Sequence, residues 1–110
     1  MKTTTMDVII QSLGFQAGAE LEGYVKEKLE KLTPNDHIIR ANVTLFLGPD
    51  RATQNTYCEI RLEVPGNDLF IKESSLEFEQ SIDAAVNKLQ AMLRKAKEKQ
   101  VEHWQGKTNP

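Results

Sequence analysis

Two rhythms of apolar residues alternate along the chain, one with a period near two and one near the helical turn. Residues 7–13 (DVIIQSL) carry β-branched Val8, Ile9 and Ile10, and read as a first strand. Gly14 punctuates it, and QAGAE leads into a helix. In residues 19–32, Leu21, Val25, Leu29 and Leu32 recur at spacings of three and four and form one apolar stripe, with Tyr24 on its edge. Gly23 inside this helix costs about 1 kcal/mol relative to alanine, so the helix must lean on tertiary packing. Thr33-Pro34 ends it, because proline disfavours helical backbone in the residue before it.

Residues 38–47 alternate: Ile39, Ala41, Val43, Leu45 and Leu47 face one way, Arg40, Asn42 and Thr44 the other. GPDRATQN then reads as a loop. Residues 56–64 alternate again, with Cys58, Ile60, Leu62 and Val64 inward and Glu59, Arg61 and Glu63 outward. PGND is a turn signature, and LFIKE (69–73) a short fourth strand. From about Leu76 to about Val101, Phe78, Ile82, Ala85, Val86, Leu89, Met92, Leu93 and Ala96 define one face of a long helix. Ser74 or Ser75 is placed to cap it, and Glu77 and Glu79 complement the dipole at its start. The final residues, 102–110, read as a flexible tail.

The order strand, helix, three strands, helix is satisfied by an α+β two-layer domain. A four-stranded sheet presents one polar face to solvent, and both helices pack on the other. With 110 residues there is room for one domain, with its core in about 6–101, and 39% apolar residues suffice to fill it. The one cysteine, Cys58, excludes an internal disulfide and reads as a buried structural thiol in a reducing cytosol. No apolar run approaches the roughly 20 residues of a membrane helix, and MKTTTM is not a secretory leader. A cytoplasmic protein with no membrane partner is expected.

Enzymatic constellations are scarce. His37 and His103 lack metal-ligand spacing, the glycines compose no phosphate loop, and the serines have no nucleophile context. No catalytic residue, metal, cofactor or small-molecule substrate is expected. Charge layout says more. Lys88, Arg94, Lys95, Lys97 and Lys99 face the single acid Glu98, a local balance of 5 minus 1, or +4, in a chain whose total is -2. At about 100° per residue, Lys88, Lys95 and Lys99 line one flank of the apolar face, and Arg94 and Lys97 lie round the other side. Cations near a helix end also suit its dipole, so this cluster alone is weak evidence for nucleic acid. In the first helix, Lys26, Lys28 and Lys31 mix with Glu20, Glu22, Glu27 and Glu30, a pattern that i, i+4 pairs such as Glu22–Lys26 and Glu27–Lys31 would explain. Lys28 falls inside the apolar arc and must snorkel toward whatever lies between the helices. If the helices pack side by side, their basic flanks can meet over one groove and hold phosphates by counterion release.

These stretches resemble the ribosome hibernation-promoting factors and ribosome-associated inhibitors, the sigma-modulation or ribosomal subunit interface family. In the first helix the family's valine and Ala-Lys-Phe-x-Lys-Leu-like segment is met by Val25 and EKLEKL, with Lys28, Lys31 and Leu32 in place. In the second, its Ile-Asp and Lys-Leu are met by Ile82-Asp83 and Lys88-Leu89, and its closing lysines by Lys95, Lys97 and Lys99 after Leu93. Glu22 stands where the family often has arginine, and Ala91-Met92 where it often has Arg-Gln. The resemblance covers about residues 6–100. It implies a β-α-β-β-β-α fold of the short form, without the dimerisation domain of the long form. It also implies binding to the small ribosomal subunit and its ribosomal RNA in the messenger channel, which blocks translation in stress or stationary phase. The RNA contacts it implies are Lys28, Lys31, Lys88, Lys95, Lys97 and Lys99, with Arg94 added by proximity. The competing reading is a protein-interaction module whose lysines merely solvate a helix.

Overall fold

The computed structural model describes residues 7–32, 38–48 and 56–108, with side chains described as far as Lys95. The elements are β1 (Asp7–Leu13), α1 (Ala19–Glu30), β2 (Arg40–Leu47), β3 (Thr56–Glu63), β4 (Leu69–Ser75) and α2 (Phe78–Thr108). The sheet order is β1-β2-β3-β4. β1 runs parallel to β2, and the other neighbours are antiparallel. A parallel neighbour cannot be reached by a hairpin, and α1 supplies the crossover. The β3–β4 turn places Pro65 before Gly66, whose φ of 96° is the left-handed backbone that glycine adopts without strain.

The core lies between the sheet and both helices. Ala41, Val43 and Leu45 of β2 and Cys58, Ile60 and Leu62 of β3 meet Val25, Leu29 and Leu32 around α1 and Ile82, Ala85, Val86, Leu89 and Leu93 of α2. The strand alternation therefore holds in phase. It fails at the strand ends: Ile39 and Leu47 have inward parity but are 56% and 44% exposed, and just before β2 it is Ile38, not Ile39, that enters the core. The sequence also stopped α2 too early, for its helical backbone continues to Thr108.

One buried polar cluster ties the start of α2 to the sheet. Ser81 is fully buried, and its hydroxyl donates to the Thr56 carbonyl at 2.7 Å. Thr56 Oγ1 donates to the Ser75 carbonyl at 2.8 Å and sits 2.9 Å from Ser81 Oγ. The Ser75 hydroxyl itself donates to Gln80 Oε1 at 2.8 Å. Phe15, after β1, stacks on Phe78 at 4.7 Å and closes the same end of the molecule.

Candidate nucleic-acid interface

Strand directions fix helix directions. α1 returns against β1, and α2 returns against β4, which points the same way as β1. The two helices are therefore roughly parallel, and they touch. Their first turns carry Glu20, Glu22 and Glu79. Lys31 stands at the end of α1, and Arg94 and Lys95 just past the middle of α2, all exposed. Among the described residues, no carboxylate lies within 4.0 Å of these three cations. The pairs Glu22–Lys26 and Glu27–Lys31, expected from their spacing, do not close within that distance either. Along α2 acids thus precede cations, from Glu79 and Asp83 to Arg94 and Lys95, whereas α1 carries Glu27 and Glu30 beside Lys28 and Lys31 to its end.

Side chains of both helices meet along the line where α1 and α2 touch, termed the trough. Lys28 lies there, as its place inside the apolar arc of α1 required. Its Nζ is 3.5 Å from Asp83 Oδ1 of α2 and 5.5 Å from the centroid of the Tyr24 ring. The Tyr24 hydroxyl donates to the same Asp83 oxygen at 2.7 Å. That hydrogen bond, followed by burial and by the charges of Asp83, Glu79 and Glu27, pushes the Tyr24 phenol up to about 12. Lys31 continues the Tyr24–Lys28 flank of α1 by one turn. Arg94 lies eleven residues after Asp83, within about 20° of it around α2, so it shares that face of the helix about 16 Å further on, past the end of α1.

Lys88 does not. It lies about 140° from Asp83 around α2, and its Nζ is 2.9 Å from Glu73 of β4. Lys95, seven residues on, shares that outer flank. The single groove expected from the sequence is therefore divided. Lys28 lies in the trough, with Lys31 and Arg94 on the helix faces that continue it, while Lys88 and Lys95 border the β4 side of α2. Arg94 and Lys95 meet across a shallow depression floored by Ala91 and Met92. Lys97 and Lys99 lie in the backbone of α2, but their side chains fall outside the described residues, as does His37 altogether and the side chain of His103.

Two carboxylates here, Glu73 and Asp83, make contacts that the sequence did not assign, although Asp83 belongs to the Ile-Asp pair of the resemblance. Glu73 was legible, because Leu69, Ile71 and Glu73 share a strand parity and so the helix-facing side. Asp83 follows buried Ile82 and lies at the edge of its stripe, but which neighbour it faces depends on helix packing.

The opposite face of the sheet is electrostatically quiet. Arg40 pairs with Glu63 at 3.3 Å, Arg61 with Asp68 at 3.9 Å and Lys72 with Glu59 at 3.8 Å. Phe46 and Tyr57 stack at 4.9 Å across β2 and β3, with Lys72 over both rings. Each described cation there has an acid beside it, so phosphate gains little on that side. Among the described residues, no group of three or more His, Cys, Asp or Glu side chains could hold a metal ion, and no helix is long and apolar enough to cross a membrane.

The fold has known counterparts. A ribosomal subunit interface protein from Coxiella burnetii superposes with a TM-score of 0.77 at 18% identity, over 84% of this chain and 99% of that one. The N-terminal domain of Protein Y from Thermus thermophilus gives a TM-score of 0.69 at 22% identity, over 84% of this chain and 98% of that one. At such identities the likeness speaks for the fold. No curated protein sequence matches the chain. A family model described as sigma 54 modulation protein / S30EA ribosomal protein matches residues 8–101, which takes in all but the first residue of β1, the other strands and α1 whole, and most of α2, and the chain belongs to this family of ribosome-associated proteins.

Proposed function

We propose that the chain binds small-subunit ribosomal RNA in the channel used by messenger and transfer RNA, and that its occupancy there inhibits translation and holds ribosomes idle. It would act in the cytoplasm, where ribosomes are. The observation that carries this reading is a set of three exposed cations on the helix layer. Lys31, Arg94 and Lys95 stand there exposed, with no described carboxylate within 4.0 Å, while the cations of the open sheet face are matched by acids. Ammonium and guanidinium groups so placed gain most from phosphate, since they displace condensed counterions without first giving up a partner. The described residues on this side include no exposed aromatic platform, which favours recognition of folded RNA by shape and phosphate over base stacking. Membership of a ribosome-associated family supports the choice of RNA.

Sedimentation with purified small subunits across a salt series tests the reading. The wild type should co-sediment at low salt and dissociate steeply as salt rises. Arg94→Glu/Lys95→Glu should lose at least about tenfold in affinity, flatten the salt dependence by roughly two contacts and relieve inhibition of a cell-free translation reaction. Salt-insensitive binding, or full binding by the charge-reversed and folded variant, would instead favour a protein partner and refute the phosphate reading.

A further inference from the structure

Lys28 is the cation lodged deepest between the two helices, and it is not available as it stands. Its ammonium group lies 3.5 Å from Asp83 and against the Tyr24 ring, and Asp83 is itself held by the Tyr24 hydroxyl at 2.7 Å. The two side chains of the ion pair remain 34% and 42% exposed, so the pair is reachable from outside. A phosphate approaching Lys28 must enter beside a carboxylate already in place. Asp83 is the one acid within 4.0 Å of a trough cation among the described residues.

We infer that Asp83 is an internal competitor for Lys28: it occupies, in the free protein, the position that an RNA phosphate takes on binding, and so sets the affinity of the trough below its cationic limit. The inference rests on the reading that the trough receives RNA phosphate. Its logic is counting of charge. When Lys28 leaves Asp83 for a phosphate, one cation is delivered and one anion is exposed beside the polyanion, so the pair contributes almost no net counterion release. Asparagine at this position keeps an oxygen for the Tyr24 hydroxyl and the same shape, so the helices keep their packing. Only the competition is removed. The Tyr24 hydroxyl anchors the competitor, holding the carboxylate on the trough side of α2.

The test compares wild type, Asp83→Asn, Lys28→Gln and the double variant for binding to purified small subunits over a salt series, with the Arg94→Glu/Lys95→Glu variant alongside. Asp83→Asn should bind about threefold to tenfold tighter at low salt, with a salt dependence steeper by roughly 0.7 to 0.9 in log–log slope. Lys28→Gln should cost a larger factor in the Asp83→Asn background than in the wild type. A weaker or unchanged Asp83→Asn, with matching thermal melts, overturns the inference and makes Asp83 a group that positions Lys28. A gain that survives Lys28→Gln undiminished overturns it too, since it then comes from the overall charge. If Arg94→Glu/Lys95→Glu binds as well as wild type, it is the phosphate reading itself that has failed, a result separate from either of these.

Discussion

Removing the Ser81 hydroxyl tests how α2 is fastened to the sheet. Ser81 and Thr56 bring two hydroxyl protons to a cluster with more acceptors than donors. One proton goes to the Ser75 carbonyl from Thr56, the other to the Thr56 carbonyl from Ser81, and the Glu77 carbonyl lies 3.3 Å from Ser81 Oγ. In Ser81→Ala, Thr56 keeps its bond to Ser75, but its carbonyl loses a donor in a place water does not reach. A buried group left without its partner costs about 1–3 kcal/mol. Alanine returns roughly 0.5 kcal/mol through its better helix propensity. The net expectation is a loss of about 1–2 kcal/mol, or a fall in Tm of roughly 4–8 °C for each kcal/mol in a domain of this size. Urea denaturation followed by circular dichroism reads it directly, as a lower midpoint with unchanged slope. The double variant Thr56→Val/Ser81→Ala should cost less than the sum of the singles, because the two side chains share the cluster. A Ser81→Ala variant as stable as wild type within about 0.3 kcal/mol would falsify this account, and α2 would then be held by its apolar face alone.

The same packing and charges set further expectations. Leu29→Ala, at a fully buried position between α1 and the sheet, should cost about 2–5 kcal/mol, whereas Leu47→Ala at an exposed strand end should cost under about 1 kcal/mol; paired denaturation curves compare them. Burial, with a smaller push from Glu59, raises the Cys58 thiol to about 12, so a thiol reagent at pH 8 should label the protein only as urea unfolds it, and prompt labelling of the native form would contradict the core. Asn42 donates to Glu63 at 2.8 Å, and this bond foremost, joined by Arg40 and opposed by burial, holds the Glu63 carboxyl below its ordinary value. A depressed folded value means that its stabilisation is present above the unfolded pKa and is lost as pH falls through the folded one. A carboxyl NMR titration should therefore show Glu63 ionising below the usual glutamate range and rising in Asn42→Ala. The Tyr24 phenol should ionise near pH 12 in an ultraviolet titration, and exposing it by Asp83→Ala should bring it back toward 10.0.

The elements were legible because each obeys one period for most of its length. β1 and the start of α1 fall where the apolar pattern placed them, and the core residues of β2 and β3 follow from alternation alone. What alternation could not supply was where the strand begins: β2 starts at Arg40, and ahead of it Ile38 rather than Ile39 turns into the core. Lys28 was legible as a side chain driven between the helices, because a cation inside an apolar arc has no other exit. The division of the lysines between two flanks of α2 was legible in the angles of Lys88 and Arg94. Which flank faced α1 was not, because that depends on how far α2 rolls on the sheet, and the fully buried Ser81 fixes that roll. Phe46, opposite Tyr57, gave no signal as part of a pair, since register between strands joined by an eight-residue loop is set only on folding.

The separation of acid and base along α2 has a kinetic consequence. A molecule of net charge -2 should drift away from a polyanion, yet this one carries a permanent moment whose positive pole leads. In the field of an anionic surface it experiences a torque before contact, so collisions are sorted by orientation and productive ones are enriched. The total charge then misjudges the encounter, and the rate of capture depends on how far apart the two poles are kept.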